Sequence, residues 1–504
     1  MNKIKLVILS IFIGVIFVGT QSCRRSASST TGWEYNNPKN GGFEVAPFEE
    51  QMTGPGLVLI EGGTFVMGQT EQDVMYDWNN RPRRVTVSSF YMDEVEIRNL
   101  DYLEYLHWLY RVFVPNDLAT VFHKALPDTL VWRNQLAYNE PYVQYYLRHP
   151  AYREYPVVGV SWEQASDYCA WRTDRVNEMI LVEQGLVSLV PEPSPEEYFS
   201  TEAYFVYEDY EGNTDRRLQN IVTGEFRNAK MEDGILLPNY RLPTEAEWEF
   251  AALGLIGNTL GERILERRLY PWNGQITRTD DKKFYGDFVA NMKRGKGDYM
   301  GIAGYLNDAA DATAPVYSYW PNDYGLYNMG GNVSEWVMDV YRDLSHEQVS
   351  DFRPFRGNVY TTKVIEDVQE NIIAERDSIG RIPEVPVSDF KNNRRRNYRQ
   401  SNNINYIDGD YASIVNTDGR LTWTFEEETS TKMYAADAMN VIEDGEIHTL
   451  VTDRARVYKG GSWKDLQYWM GPGQRRYLEQ DEATDHIGFR CAMARLGPPI
   501  GRGR

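Results

Sequence analysis

Apolar positions in the first third of the chain fall into short runs divided by glycine and polar residues, which is typical of short strands. Residues 57–68 hold two such runs around Gly62 and Gly63, and this arrangement predicts a hairpin. β-Branched residues recur over residues 84–92 and predict a further strand. Ordered structure is therefore expected to begin near Gly54.

Three later segments carry helix signals. Leucine recurs every third residue within 99–109, which predicts a helix with one apolar face. Ser161 and Gln164 form a capping-box pattern at the start of a second helix, and Thr244 and Glu247 repeat it at the start of a third. The pattern as a whole predicts a mixed α and β chain with long loops.

The N-terminus has the layout of an export signal. Lys3 and Lys5 precede an apolar run over residues 6–18, which is short for a membrane span and fits a signal-peptide core. Cys23 follows a small residue just after this core. Residues 1–22 are therefore predicted to be a lipoprotein signal peptide, with Cys23 lipidated; the alternative is an uncleaved anchor.

Residues 23–53 are polar and rich in Ser, Gly, Asn and Pro, and they are predicted to tether the chain to the membrane. The formal charge of the 504 residues is −20, and loss of Lys3 and Lys5 with the signal peptide moves it to −22. Such a balance argues against nucleic acid as a partner and favours basic partner surfaces.

One strongly basic run, over residues 391–399, interrupts this acidic chain. It is interpreted as a solvated or ion-paired loop, with a docking site for an acidic partner as the alternative. The six His residues show no metal-ligand spacing, and no Cys–His pair for nucleophilic catalysis is evident. Cys169 and Cys491 remain in an exported chain, where disulfides persist, although two buried free thiols are the alternative.

Seven blocks, taken in order, resemble the formylglycine-generating enzyme family, also called the sulfatase-modifying-factor family. They are residues 62–68, 91–99, 156–162, 241–250, 270–272, 325–336 and a C-terminal segment with Tyr458-Lys459-Gly460-Gly461-Ser462-Trp463 and Gly488-Phe489-Arg490-Cys491. The resemblance implies an α+β, C-type-lectin-like fold with short strands, few helices and long ordered loops. It places one domain over residues 54–496, with insertions at about 185–235 and 343–452, followed by a tail over 497–504.

The resemblance also identifies an absence. In catalytic members of the family two Cys residues bind copper, and those positions here hold Asp465 and Met470. A carboxylate and a thioether do not replace a thiolate pair, because Cu(I) selects soft sulfur. The chain is therefore predicted to be a pseudoenzyme without copper. The alternative is an oxidase whose metal is held by Asp465 and nearby oxygens. Trp463 and Trp469 flank this position and are interpreted as packing residues, with a ligand pocket as the alternative.

Two calcium sites are implied by the same resemblance. The first would use Asn328, Gly331, Val333 and Glu335, and the second would use Asn291, Met292, Asp308 and Ala310. Oxygen donors clustered in a Gly-rich turn suit Ca²⁺. The alternative for the first set is that Asn328 and Asn332 stabilise the turn through local hydrogen bonds.

The family's structural disulfide maps onto Cys169 and Cys491. Its second pair falls on Ala252 and Arg475, so both partners of that pair are missing together.

The chain also resembles one subgroup of the family. This resemblance is carried by the predicted lipidation site at Cys23 and by residues 31–33, 77–80, 128–134 and 146–152. These match the gliding-motility lipoproteins of Bacteroidota. The resemblance implies an outer-membrane lipoprotein on the periplasmic side that is required for gliding and type IX secretion. It implies partners among those components, namely lipoprotein K and its ring partner N. A glycan- or peptidoglycan-binding module is a further alternative.

Overall fold

The computed structural model describes residues 27–69, 79–207, 212, 214, 218–256, 268–272, 276–293, 310–341, 361–367, 372–386 and 454–497. Several predictions concern residues outside these ranges. They are the signal peptide, lipidation of Cys23, the ligand Asp308, the basic run over 391–399, most of the insertion over 343–452 and the tail after residue 497.

Short strands alternate with few helices along the described chain. The strands are β1 (Leu57–Ile60), β2 (Gly63–Met67), β3 (Arg83–Val87), β4 (Phe90–Asp93), β5 (Leu218–Gln219), β6 (Phe226–Arg227), β7 (Tyr240–Arg241), β8 (Ser334–Val340), β9 (Thr361–Lys363), β10 (Ile365–Asp367), β11 (Ile372–Ile373), β12 (Glu384–Pro386), β13 (Ala455–Lys459), β14 (Arg476–Glu479), β15 (Ile487–Gly488) and β16 (Ala492–Ala494). The α-helices are α1 (Asn99–Phe113), α2 (Ala119–Ala125), α3 (Glu140–Tyr145), α4 (Trp162–Glu183), α5 (Thr201–Tyr207) and α6 (Glu245–Leu253). This confirms the mixed character of the predicted fold.

Two four-stranded sheets organise these strands, in the orders β1-β4-β16-β7 and β14-β13-β8-β15. Neighbouring strands are antiparallel except β8 and β15. The predicted hairpin over residues 57–68 is wrong, because β1 pairs with β4 and β2 pairs with β3. Gly62 serves close packing instead of a hairpin turn, since a Cβ there would fall 2.3 Å from the Val87 carbonyl oxygen. The single strand predicted over 84–92 is likewise two strands in two different sheets.

The three predicted helices are confirmed. In α1 the buried face is formed by residues such as Tyr102, Leu106 and Leu109, whereas Leu100 is exposed. At the start of α4 the Ser161 hydroxyl accepts a hydrogen bond from the Gln164 backbone N–H, and the Gln164 side chain accepts one from the Ser161 N–H. Thr244 and Glu247 close the same box at α6.

The first insertion packs around its own apolar cluster, which includes Val187, Phe199 and Tyr204. It also contacts the described part of the second insertion. The Arg376 guanidinium donates to the Tyr198 carbonyl oxygen at 3.0 Å, and the Tyr207 hydroxyl donates to the Ala374 carbonyl oxygen at 2.5 Å. The two insertions thus meet on one side of the domain.

Part of the segment predicted to be a tether lies against the domain. Gln51 donates to the Ala494 carbonyl oxygen and accepts from the Leu496 N–H, so residues just before β1 meet residues just after β16. The described chain contains no helix that is both long and apolar enough to cross a bilayer.

Candidate functional site

The positions of the copper-binding cysteines lie after β13, beyond a tight Gly-Gly turn. Gly460 and Gly461 have φ angles of 97° and 66°, which side chains with a Cβ rarely adopt. A Cβ on Gly461 would fall 2.6 Å from the Met470 methyl carbon. The turn therefore lets the backbone approach Met470 directly and fixes the segment that carries Asp465.

Asp465 forms a two-pronged ion pair with Arg476. Its oxygens lie 2.7 Å from Nη1 and 2.7 Å from Nη2, and the Ser462 hydroxyl donates to Oδ2 at 2.6 Å. The guanidinium also lies 4.8 Å from the ring centre of Tyr458 and 4.6 Å from that of Trp469. Burial alone would raise the pKa of Asp465, but the hydrogen bonds and charge of Arg476 lower it below its usual value. The carboxylate is thus ionised and fully engaged by protein groups.

Met470 is completely buried and packs with Tyr270 and Met292 in a small apolar cluster. Across the described ranges there is no group of three or more His, Cys, Asp or Glu side chains placed to hold a metal ion. Residues 465–470 thus present an ion pair beside a buried thioether, and neither offers the thiolate that Cu(I) prefers.

The two tryptophans near this position do not line a common pocket. Trp463 is buried, stacks on Trp132 with ring centres 6.1 Å apart, and donates its indole N–H to the Asp485 carbonyl oxygen. Trp469 instead faces the Arg476 guanidinium. Both rings support packing, in line with the first interpretation of them.

A second polar centre surrounds Glu96, a residue that the sequence did not single out. Its carboxylate accepts hydrogen bonds from the Asn328 amide at 2.9 Å, from the Asn332 amide at 3.0 Å and from the Val333 N–H at 3.4 Å. Burial, reinforced by the charge of Glu335, raises the pKa of Glu96 to about 8, against the effects of Arg490 and the two amides. Asn328 and Asn332 have φ angles of 52° and 62°, so both are turn residues as well as donors.

The first predicted calcium set meets at this centre, yet its carboxylate is already paired. The Arg490 guanidinium lies 2.6 Å and 2.7 Å from the two Glu335 oxygens, and the Trp248 indole N–H donates at 2.8 Å. In this arrangement Asn328, Gly331, Val333 and Glu335 do not present a free carboxylate, so they do not fit Ca²⁺ without displacement of Arg490. Calcium at this set stays a prediction.

The second predicted set is only partly described. The Asn291 amide donates to the Ala312 carbonyl oxygen at 2.7 Å, and the Asn291 carbonyl oxygen accepts from the Asn332 N–H. Met292 lies in the apolar cluster with Met470, and Ala310 is buried. The set would therefore share the turn of the first one, with Asp308 outside the described residues.

Cys169 on α4 and Cys491 before β16 come together in the core, with their sulfur atoms 3.3 Å apart as two buried thiols. Burial, with Cys169 beside it, raises the pKa of the Cys491 thiol well above its usual value. The structure thus places the two residues as a disulfide requires, and the bond itself stays a prediction.

Arg475, one of the two positions of the missing second disulfide, takes part in an ionic network. Arg475 is buried, and its Nε lies 2.7 Å from a Glu245 oxygen on α6. The Lys459 ammonium lies 3.2 Å from the same oxygen and 3.1 Å from Glu249. These contacts join the end of β13 and the residue before β14 to α6.

Short strands, few helices and a buried polar turn, with other residues at the two copper-binding cysteine positions, fit a sulfatase-modifying-factor domain. The profile of the sulfatase-modifying factor enzyme 1-like domain matches residues 42–495, and the chain belongs to that family.

Among its relatives, the chain is 24% identical to the formylglycine-generating enzyme of Mus musculus over 320 residues, which are 59% of this chain and 61% of that protein. It is also 24% identical to the inactive C-alpha-formylglycine-generating enzyme 2 of Bos taurus over 324 residues, 60% of this chain and 75% of the relative. The chain thus spans about three-fifths of the length of the first relatives it matches.

Solved structures give a weaker likeness. Treponema denticola variable protein 1 aligns with a TM-score of 0.36 and 15% identity over 89% of this chain and all of that one. PvdO from Pseudomonas aeruginosa aligns with a TM-score of 0.35 and 14% identity, over 87% of this chain and 94% of that one. Likeness at this level carries no conclusion about function.

Proposed function

We propose that this chain is a non-catalytic member of its family that works by binding other proteins at a membrane. The observation that carries the proposal is the Asp465–Arg476 ion pair, which stands where catalytic members hold two thiolates. A redox metal centre needs ligands that the ion pair and the buried Met470 do not offer. Relatives named as inactive enzymes exist in the same family, which supports loss of catalysis on this scaffold.

The proposed cellular role follows from the subgroup resemblance. We place the chain in the group of gliding-motility lipoprotein J, lipid-anchored through Cys23 on the periplasmic side of the outer membrane. It would serve gliding and type IX secretion together with lipoprotein K and its ring partner N. The two insertions that meet on one side of the domain support this role, because they enlarge the surface open to partners. The arrangement of the domain is proposed to be C-type-lectin-like.

Copper chemistry gives the direct test. We expect purified protein to bind no Cu(I) at micromolar concentrations and to leave a peptidyl thiol unoxidised, because the soft ligand pair is absent. The variant Asp465→Cys/Met470→Cys restores both thiols and serves as the positive comparison for metal uptake. Tight Cu(I) binding by the wild type, lost on Asp465→Asn, would revive the alternative of an oxidase with an altered site.

The interaction role is tested in cells. Crosslinking of intact membranes followed by mass spectrometry should give crosslinks between the two insertions, at about 185–235 and 343–452, and other envelope proteins. Lipoprotein K should be among those proteins. Recovery of only uncrosslinked, unassociated protein would reject the interaction role while leaving the loss of catalysis in place.

Structural calcium is part of the proposal. If Ca²⁺ binds at Glu335, purified protein should contain at least about one Ca²⁺ per chain, and a chelator should lower the melting temperature. The variant Asn328→Ala should remove both effects. A chelator that changes neither metal content nor melting temperature would reject calcium and leave Glu335 held by Arg490 and Trp248.

Glycan binding is a second candidate, favoured by one cavity. It has a volume of about 590 Å³ and is lined by residues that include Trp272, Tyr319 and Trp320. Aromatic rings with a few polar groups are the usual lining of small-ligand sites. Peptidoglycan fragments should bind the wild type but not Trp320→Ala if this candidate holds, whereas the exposed Trp33→Ala serves as the matched control.

A further inference from the structure

An exposed apolar surface lies where the N-terminal segment meets the rest of the domain. Residues 33–52, the β5–β6 hairpin and the residues after β16 build it together. Its members share an unusual degree of exposure, with at least 53% of each side chain open to solvent. They are Trp33, Phe43, Phe48, Val222, Phe226 and Leu496. We call these six residues the entry surface.

The three segments of the entry surface are in direct contact. A Cβ on Gly42 would fall 2.3 Å from a Val222 methyl carbon, so the segment and the hairpin touch at that point. A Cβ on Gly497 would lie 3.0 Å from the Phe48 ring, which joins the segment to the chain after β16. These two approaches tie the N-terminal segment to the β5–β6 hairpin and to the chain after β16, so the exposed apolar residues lie on segments that touch one another.

Some acidic side chains of the segment have partners within the protein. Glu44 pairs with Arg227 at 3.0 Å, and Glu50, whose side chain is 59% exposed, pairs with Arg495 at 2.9 Å. Glu34 accepts a hydrogen bond from the Asn37 amide at 2.8 Å. In a chain with a net charge of −20, the two ion pairs offset part of the negative charge beside the entry surface.

The described chain starts beside the entry surface. Ala27, its first described residue, bridges to Glu34, the neighbour of Trp33. Cys23 precedes Ala27 by four residues, a stretch that spans at most about 14 Å. A lipid on Cys23 would thus hold the entry surface within reach of the bilayer that carries it.

We propose that the entry surface rests on the bilayer, with Trp33, Phe43 and Phe48 in the head-group region of a zwitterionic phospholipid leaflet. The inference rests on the proposed lipid anchor, and it adds a fixed orientation of the domain to it. Trp favours the membrane–water interface because its indole joins an apolar ring to a polar N–H. Exposed Phe rings gain free energy when they leave water for the boundary between head groups and acyl chains. Protruding rings on a turn and a hairpin suit a fluid surface better than a rigid protein pocket. The β5–β6 hairpin places Val222 at its tip for the same contact.

Depth-dependent quenching on the full lipidated chain tests the orientation. The protein is reconstituted into phosphatidylcholine vesicles that contain a head-group spin-labelled lipid, and a single fluorophore is attached through Phe48→Cys or Val222→Cys. Cys169 and Cys491 are buried, so the label goes to the introduced thiol. Leu136→Cys and Tyr285→Cys are the matched controls, because these side chains are 96% and 79% exposed and lie outside the entry surface.

We expect quenching of about twofold or more at positions 48 and 222 and none at positions 136 and 285, since only interfacial labels meet the quencher. The variant Trp33→Ser/Phe43→Ser should weaken quenching at position 222 while the protein still floats with the vesicles. Equal quenching at all four positions, or none at any, overturns the proposal. If the fluorescence at positions 48 and 222 changes with protein concentration and not with the quencher lipid, the entry surface is a contact between two copies of the chain. That result also overturns the proposal.

Vesicle flotation separates this inference from the proposed anchor. The wild type should float and Cys23→Ser should not. Failure of the wild type to float rejects the anchor and the orientation together. Flotation without quenching at positions 48 and 222 rejects only the orientation.

Discussion

Arg476 shows how one side chain can hold a partly buried carboxylate. It binds both oxygens of Asp465, donates to the Ser334 hydroxyl at 3.0 Å and lies over two aromatic rings. Removing one partner of such a pair leaves a poorly solvated charge, and this lowers stability more than removing both partners does. The Asp465–Arg476 pair is therefore expected to contribute to the stability of the domain.

The first prediction concerns this pair. Asp465→Asn should lower the free energy of unfolding by about 3 kcal/mol, because it leaves the guanidinium unpaired. The double variant Asp465→Asn/Arg476→Met should lose less than the sum of the single changes. Denaturant unfolding measures both values. Glu140→Gln is the control, since its pair with Arg133 is exposed and should contribute little to stability. Additive losses in the double variant would contradict the coupling.

Asp174 gives the second residue-scale prediction. Burial raises the pKa of Asp174 to about 6, although the hydrogen bond from the Thr201 N–H opposes the rise. A native pKa above the unfolded one stabilises the protein fully below about pH 4, and this contribution is lost as the pH rises through 6. Asp174→Asn keeps an acceptor for Thr201 but cannot titrate.

The unfolding free energy of Asp174→Asn, relative to that of the wild type, should therefore rise by about 2 kcal/mol as the pH is raised from 4 to 7. Chemical denaturation at a series of pH values gives the two curves. Asp167→Asn on the same helix, where the side chain is 45% exposed, is the matched control for replacing a carboxyl by an amide. Parallel curves for Asp174→Asn would show that this carboxyl does not couple to folding.

At the residue scale the sequence indicated which thiols were absent but not what the replacing side chains contact. Loss of the thiols at residues 465 and 470 followed from motif spacing. The partnership with Arg476 did not, because a side-chain pair across a turn depends on the packing of β14. Glu96 was missed for a similar reason: a single acid after an apolar strand gives no signal until the turn at Asn328 folds over it.

Among the secondary-structure elements, helix starts were the most predictable. The signals for α4 and α6 are local, since each box needs only residues three apart. Strand pairing was not predictable in the same way. The Gly62-Gly63 break looks like a hairpin turn, yet the two strands join different sheets because distant partners in β4 and β3 provide the ladders. Strand positions depend on local pattern, whereas strand partners depend on the whole chain.

The third prediction concerns the capping boxes. Ser161→Ala and Thr244→Ala should each lower the free energy of unfolding by about 1 kcal/mol, because each removes the acceptor for a free backbone N–H. The losses should add, since the helices have separate first turns. Ser166→Ala inside α4 is the control and should cause no comparable loss, because its hydroxyl only bonds back to Trp162. No change on Ser161→Ala would mean that water or a neighbour caps α4 equally well.

For the whole molecule, the Cys169–Cys491 contact spans most of the domain. If the bond forms, it closes a loop of about 320 residues, and the entropy model gives it up to about 4–5 kcal/mol. The fourth prediction is that protein unfolded without reductant shows neither of these two thiols to a thiol reagent. Reduction, or Cys169→Ala/Cys491→Ala, should then lower the unfolding midpoint clearly. Immediate reaction of both thiols in denaturant would show that they remain free.

The place of β16 has a consequence for biosynthesis. This strand lies inside its sheet, between β4 and β7, and residues beside it hold Gln51 and Glu50. About 400 residues separate β4 from β16 along the chain, so β4 is synthesised long before this neighbour exists. Until β16 is made, the unpaired edge of β4 can pair with a non-native strand. Nascent molecules of this protein should therefore need a chaperone at least until β16 has been synthesised.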